Sequence, residues 1–298
     1  MKIPLIFLGT GQAVPTTKRN HTAILLKYSG ENILVDCGEG TQRQFRKAKL
    51  NPCKITRILI THFHGDHVLG LPGLFQTLAL NGYNKTLEIY IPKGTRQHLD
   101  LICRMFVWRE KLKIQINEIS EGKFLETEDF FIEAMPMQHD TPCLAYSFKE
   151  KDKLRIKKEK LKKYKLKGAI IGELVKGNDI EWNGKKIKAK ELTYLQKGKK
   201  IVFILDTKLN ENCYKIAKDA DLLICEGVYI KKDKELAGLY NHLTAEQAAA
   251  IAKKSEAKKL ILTHLSQRYE NNFKIVLNEA KKKFKNSFLA EDFMKTEV

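Results

Sequence analysis

No run of eighteen uncharged apolar residues occurs in the 298-residue chain, which leaves no candidate for a membrane-spanning helix. No secretory signal is expected either. Met1-Lys2-Ile3-Pro4-Leu5 passes directly into a strand pattern, and a cytoplasmic location is the expectation. The six cysteines (Cys37, Cys53, Cys103, Cys143, Cys213 and Cys225) form no Cys-x-x-Cys pair, and most sit in or beside apolar runs. They read as reduced packing residues. Acid is scarce relative to base: 35 Asp and Glu against 54 Lys and Arg leave a formal charge of +19. That excess favours a polyanionic partner, nucleic acid ahead of an anionic membrane, although a Lys/Glu-rich composition also suits a hot environment. With 43% apolar residues the length supports one compact domain over residues 1–298.

What the chain does have is concentrated in Ile60-Thr61-His62-Phe63-His64-Gly65-Asp66-His67-Val68-Leu69-Gly70-Leu71. The preceding Thr56-Arg57-Ile58-Leu59-Ile60 is a β-branched, apolar run that reads as a buried strand. Side chains two apart in extended backbone share a face, so His62 and His64 can grip one metal ion together. Gly65 permits a turn, past which Asp66 and His67 can address a second ion, and a helix is expected over residues 68–80. Imidazoles and a carboxylate suit zinc, and two ions about 3.5–4 Å apart clamp both oxygens of a phosphoryl displacement. The His-x-His-x-Asp-His pattern resembles the metallo-β-lactamase superfamily.

Other strand ends carry similar chemistry. Strands are expected over residues 3–8, 22–28 and 33–36, with Ser29-Gly30-Glu31-Asn32 as a hairpin turn. Between the first two lies Pro15-Thr16-Thr17-Lys18-Arg19-Asn20, a cationic loop able to hold a phosphate. Asp36, at a strand end, either orients a metal-bound histidine or caps the following turn. Further strands are expected over residues 87–91, 113–119 and 130–137, the last delivering His139, which is either a satisfied polar residue or a ligand. The strand over residues 200–205 delivers Asp206, a carboxylate able to bridge two ions. The strand over residues 259–262 delivers His264, and Thr244 is placed to cap a helix over residues 245–252.

Residues 149–167 hold eleven Lys or Arg against three acids, eight of the nineteen excess charges. Leu154, Ile156, Leu161, Tyr164 and Leu166 interleave with them, which argues for a protruding basic arm with a short helix, set against a solvated excursion.

Asp36-Cys37-Gly38-Glu39-Gly40-Thr41-Gln42, Thr263-His264-Leu265-Ser266-Gln267-Arg268-Tyr269 and the loop from Pro15 to Asn20 together resemble tRNase Z, the endonuclease family that trims the 3′ trailer from precursor tRNA, in its short form. The resemblance implies an α/β fold, the metallo-β-lactamase four-layer αβ/βα sandwich with a protruding basic arm. It further implies two Zn2+ per chain. His62, His64 and His139 would hold one, Asp66, His67 and His264 the other, with Asp206 bridging. Asp66 would orient or activate the attacking water, and Glu226 would orient His242 to protonate the leaving oxygen. The basic arm, residues 149–178, would grip the tRNA body through Lys157, Lys158, Lys160, Lys162 and Lys163, with Lys18 and Arg19 adding phosphate contacts. Ala290-Glu291-Asp292-Phe293 fits the family's late Ala-x-Asp loop. A homodimer with precursor tRNA as partner, and no membrane contact, completes the expectation. The chain departs from the family pattern at Ala169, where the arm usually has proline, at Leu205, which replaces a glycine, at Thr17, which replaces a lysine, and around Glu226, where only the glutamate survives.

Two rivals stand beside this reading. One is another phosphodiesterase of the superfamily, acting on small nucleotides or a broader range of RNA. The other is a non-catalytic RNA-binding protein that kept the fold; against it stands an intact set of seven metal-ligating side chains.

Overall fold

The computed structural model describes residues 2–107 and 112–298. Its larger unit, up to Leu125 with Ile132–Phe148 and Lys200–Val298, is built on two seven-stranded sheets. The first contains β1 (Pro4–Gly9), β2 (Ala23–Tyr28), β3 (Glu31–Val35), β4 (Arg57–Leu59), β5 (Thr86–Pro92) and β6 (Lys113–Ile119), closed at its edge by the late strand β18 (Lys295–Glu297) beside β1. The second runs β17-β16-β15-β14-β9-β8-β7, from β7 (Gly122–Glu126), β8 (Phe130–Met137), β9 (Cys143–Glu150), β14 (Lys200–Ile204), β15 (Leu222–Glu226), β16 (Leu260–Thr263) and β17 (Ser287–Leu289). Strands β3 to β6 are parallel, as are β14 to β17, so each of these two runs sends its strand C-termini in a common direction, while β18, β1 and β2 run antiparallel to their neighbours.

Packing on both faces explains the near-continuous apolar strands. Leu26, Ile33, Val35 and Leu59 from the first sheet meet Ile132, Tyr146, Phe148 and Phe203 from the second around a small buried cavity. On the outer face of the first sheet, Leu25, Leu34, Ile58 and Ile89 pack with Phe45 of α1 (Thr41–Lys47), Leu74, Phe75 and Leu78 of α3 (Leu71–Leu80) and Leu99 of α4 (Arg96–Arg104). On the outer face of the second, Val202, Leu223 and Leu260 pack with Ile216 of α8 (Glu211–Ala217), Ala248 and Ile251 of α10 (Ala245–Lys254) and Val276 of α11 (Lys274–Lys283). This is the four-layer αβ/βα sandwich. Each fully buried Leu, Ile or Phe contributes roughly 1.5–3 kcal/mol.

The two sheets are also stitched beside the histidine loop. The Tyr146 hydroxyl donates to the Ile60 carbonyl at 2.6 Å, and the Leu144 amide donates to the Thr61 carbonyl at 3.0 Å. Strand β9, which supplies both, has no counterpart among the sequence-based expectations; residues 143–148 are all buried, so they carry no alternation. The single helix expected over residues 68–80 is two: α2 (Gly65–Val68), which carries Asp66 and His67, and α3. The break has a physical cause. The Cys37 amide donates to the His67 carbonyl and the Gly70 amide to the Cys37 carbonyl, pulling the loop after β3 against the junction so tightly that a Cβ on Gly70 would lie 2.0 Å from the Gly38 carbonyl oxygen. Pro72 then restarts the helix in its first turn, where a missing N–H costs nothing. A short helix before the His242 turn, α9 (Lys234–Leu239), was likewise not expected.

The smaller unit comprises Glu126–Phe131 and Lys149–Lys199. Strand β10 (Lys153–Ile156) pairs antiparallel with β13 (Thr193–Gln196), and between them run α5 (Lys158–Tyr164), α6 (Ala169–Lys176), the hairpin β11 (Ile180–Trp182) with β12 (Lys185–Ile187), and α7 (Ala189–Leu192). Leu166, Leu174, Ile180, Ile187, Ala189 and Leu192 give it a core of its own. The chain divides into two compact units, the smaller of which contains the expected inserted arm of residues 149–178 and continues to Lys199, where β13 returns to pair with β10.

Gly70→Ala is expected to destabilise the protein by about 2–3 kcal/mol, since backbone faces the new methyl and must shift. Denaturant unfolding checks this; a change within 0.5 kcal/mol, about the level of a neutral surface substitution, contradicts the tight crossing.

Candidate metal centre

Five histidines from four separate segments converge with Asp66 and Asp206 at strand C-terminal ends, most of them of parallel strands, where ligands of α/β sheets gather. His62 and His64 follow β4, Asp66 and His67 lie on α2, His139 follows β8, Asp206 follows β14, and His264 follows β16. Two overlapping sets result: His62, His64, His139 and Asp206; and Asp66, His67, Asp206 and His264. Within each set the donor atoms all lie within 4.8 Å of one another.

Hydrogen bonds on the far side of each ring fix which nitrogen points inward. The Thr61 hydroxyl donates to Asp36 Oδ2 at 2.8 Å, so its oxygen accepts from His62 Nδ1 at 3.0 Å. Thr22 donates to the Gly11 carbonyl and accepts from His264 Nδ1 at 2.8 Å. His67 Nδ1 donates to Asp36 Oδ2 at 2.6 Å. His139 Nδ1 lies 3.3 Å from the Asn241 carbonyl and donates to it, and His64 Nε2 lies 3.3 Å from Asp140 Oδ1. These tautomers are assigned from the network. In this assignment each ring has one nitrogen bonded away from the cluster and the other facing it.

Those inward atoms fit a pair of cations. His62 Nε2, His67 Nε2, His264 Nε2 and Asp206 Oδ1 are buried with no hydrogen-bond partner, which is costly unless something else engages them. His139 Nε2 and His64 Nδ1 face each other at 3.2 Å with lone pairs opposed. Donors at 2.0–2.1 Å around a tetrahedral ion stand about 3.3 Å apart. The observed spacings bracket that value: His264 Nε2 to Asp206 Oδ1 is 3.1 Å, His67 Nε2 to the same oxygen 3.4 Å and to Asp66 Oδ2 3.5 Å, and His62 Nε2 to Asp206 Oδ2 3.6 Å. Asp206 thus turns one oxygen to each set.

Charge makes the same demand. Asp36, Asp206 and Glu226 are buried and Asp66 nearly so, and four carboxylates in one low-dielectric place need compensation. Burial opposes protonation of His67, but Asp206, Asp66 and Asp36 outweigh it and raise its pKa well above the usual imidazole value. Burial and the neighbouring His67 push His62 well below it. Asp66 and Asp206 resist the upward push of burial and are held below the usual carboxylate range, Asp66 mainly by His67 and Asp206 mainly by His264.

Beside the cluster, Glu226 at the end of β15 accepts from the Thr207 amide at 2.8 Å, the Leu243 amide at 3.0 Å and His242 Nδ1 at 3.2 Å. It ties Asp206-Thr207 to His242-Leu243. Burial opposes a charge on His242, but Glu226 and Asp206 raise its pKa to about 9, while burial raises that of Glu226.

The sheet order, the strand-end site and the His-x-His-x-Asp-His loop define the class: this is a protein of the metallo-β-lactamase fold. A family model described as Anti-Pycsar protein Apyc1 matches residues 3–170. Ribonuclease Z of Thermococcus onnurineus is 43% identical over 270 residues, 90% of this chain and 86% of that one, and ribonuclease Z of Methanosarcina mazei is 36% identical over 297 residues, 99% and 97% of the two. The crystal structure of human tRNase Z, short form, superposes with a TM-score of 0.69 at 28% identity, covering 98% of each chain. The chain belongs to the ribonuclease Z family.

All seven expected ligands come together, with Glu226 and His242 adjoining them. Asp36 has the orienting role among its two alternatives, for it accepts from His67 and Thr61 with its own backbone in the left-handed region at φ 56°. Arg19 does not fit the phosphate contact expected of it. It is 6% exposed, donates to the Thr10 hydroxyl at 2.6 Å and the Ala290 carbonyl at 2.7 Å, and lies 4.3 Å from the Phe273 ring centroid. Lys18 remains exposed. Lys157, Lys158, Lys160, Lys162 and Lys163 lie in the smaller unit, at and along α5. Sequence reasoning missed Thr22, Thr61, Asp140 and Asn241 as partners of the histidines; the only signal was that two of them immediately neighbour a ligand. Asp292 of the Ala-x-Asp segment accepts from the Thr10 hydroxyl, the Asn20 amide and Gln44, anchoring the base of the cationic loop.

Removing metal with a chelator is expected to lower the melting temperature, because the buried carboxylates lose their counter-charge, and returning zinc to restore it. An unchanged transition contradicts a metal centre.

Proposed function

We propose that this protein is a dinuclear zinc endoribonuclease that removes the 3′ trailer from precursor tRNA, leaving a 3′-hydroxyl on the tRNA and a 5′-phosphate on the trailer. The observation that carries the reading is the set of inward imidazole nitrogens, each ring held from behind, together with the carboxylate oxygens of Asp66 and Asp206, in a chain 36–43% identical to proteins named ribonuclease Z. When bound, the ions would lower the pKa of water to about 7 and offset charge on the phosphoryl group. His62, His64 and His139 would hold one, Asp66, His67 and His264 the other, and Asp206 would lie between them.

The protein's own groups do the rest. Asp66 orients the attacking water and accepts its proton. The water attacks phosphorus in line, and the P–O bond to the ribose 3′ oxygen of the tRNA breaks. His242, held by Glu226, donates a proton to that oxygen, giving the 3′-hydroxyl. The exposed lysines of residues 149–178, with Lys18, grip tRNA phosphates, which fixes position without reading sequence. The protein acts in the cytoplasm as a homodimer.

The direct test is a 3′-extended tRNA transcript incubated with purified protein: a single cut after the discriminator nucleotide supports the reading, and random or absent cleavage refutes it. His242→Ala is expected to retain both metals and lose about 10²–10⁴ in kcat; loss of zinc by this variant removes the proton-donor role. The arm can be excised at its neck, because the Glu150 amide bonds the Lys199 carbonyl at 2.8 Å and a short turn can replace residues 151–198, at the loss of the Lys151 and Lys153 contacts to Glu126 and Asp129. That protein is expected to lose precursor-tRNA cleavage but still hydrolyse a small chromogenic phosphodiester. Equal loss of both activities contradicts the arm's role in gripping tRNA.

A further inference from the structure

The two ligand sets are not equivalent, and the difference lies behind the ligands. In the set of Asp66, His67 and His264, the far nitrogen of each imidazole is held by a fully buried oxygen at short range: Asp36 Oδ2 at 2.6 Å for His67, and Thr22 Oγ1 at 2.8 Å for His264. Asp36 is itself fixed by the Thr61 amide at 2.7 Å and hydroxyl at 2.8 Å. Thr22 is fixed by its bond to the Gly11 carbonyl, and Gly11 is bridged to Leu265, the residue after the ligand. His264 adopts the left-handed backbone conformation at φ 55°, so its ring direction depends on such outside restraint.

In the set of His62, His64 and His139, His62 is held by the buried Thr61 hydroxyl at 3.0 Å, but the other two rings are restrained more weakly. The His64 side chain is 41% exposed and its far nitrogen meets Asp140, which is 60% exposed, at 3.3 Å. His139 has only the Asn241 carbonyl at 3.3 Å. The carboxylates at this set are the shared Asp206 and Asp140, whose side chain is exposed to solvent screening, where the other set has Asp206, Asp66 and the fully buried Asp36 behind His67. More negative charge and less ordering on binding both favour a divalent cation.

We propose that the Asp66, His67 and His264 set is the tighter of the two metal sites and fills first, and that Thr22 is the residue that positions His264 for it. The inference rests on the dinuclear reading above. Thr22 acts only through the ring: its oxygen accepts the Nδ1 proton, which keeps Nε2 unprotonated and aimed at Asp206 and Asp66.

Titration of the metal-free protein with zinc, in competition with a chromogenic chelator, tests this without reference to catalysis. The wild type should show two unequal steps. His139→Ala should keep the tighter step and lose the weaker. Thr22→Val, which keeps the volume and deletes the acceptor, should weaken the tighter step by about 10–100-fold, and Thr22→Ser should restore it. Equal steps in the wild type, loss of the tighter step in His139→Ala, or a tighter step untouched in Thr22→Val would each overturn the proposal. A wild type that binds no zinc overturns the dinuclear reading itself, which separates the two failures. Near-native circular dichroism of Thr22→Val, together with rescue by serine, separates the positioning role from loss of fold.

Discussion

The structure depends on hydrogen bonds made behind the histidines. An imidazole is a useful ligand only when one nitrogen is deprotonated and aimed, and both conditions are met here by what the other nitrogen touches: Asp36, Thr22, Thr61, the Asn241 carbonyl and Asp140. Without those contacts the rings would rotate and the four neighbouring carboxylates would repel one another. With them, a set of unpartnered donor atoms is held together against its own electrostatics, an arrangement that bound metal would compensate. That Asp36 and His264 both sit in left-handed backbone conformations fits a centre whose local geometry is imposed by the surrounding fold.

The sandwich supplies that imposition. Strand ends from both sheets bring ligands separated by some two hundred residues to one place, and β9 ties the sheets together beside the histidine loop through Tyr146 and Leu144. Glu226 plays an equivalent part, bonding the Asp206-Thr207 and His242-Leu243 segments at once. The close crossing of Gly38 and Gly70 completes the frame by pinning α2, with Asp66 and His67, against the Asp36 loop. The smaller unit has its own core and carries the concentrated positive charge.

How much of this was legible in the sequence follows from how local each signal is. The His-x-His-x-Asp-His loop was readable because four ligand-type side chains fall within six residues after an apolar strand. Asp206 and His264 were readable because a polar residue ends an otherwise apolar run. Thr22 and Thr61 were not, since a threonine at a strand end has many ordinary uses and its partner lies far away in sequence. Strand β9 escaped because burial on both faces erases alternation, and β7 and β18 because short edge strands leave little pattern. The return strand β13 has exposed Tyr194 and Leu195 and gives no hint that it pairs with β10. Arg19 looked like a phosphate ligand because a cation in a turn usually faces solvent; here Thr10, Ala290 and Phe273 enclose it.

The central claim is that side chains from His62 to His264 seat a pair of cations across Asp206. Crystals of the zinc-loaded protein, measured on either side of the zinc absorption edge, test it most directly. The account predicts two anomalous peaks about 3.5–4 Å apart, one on each carboxylate oxygen of Asp206. A single peak away from Asp206, or none in protein shown to be folded, would contradict it.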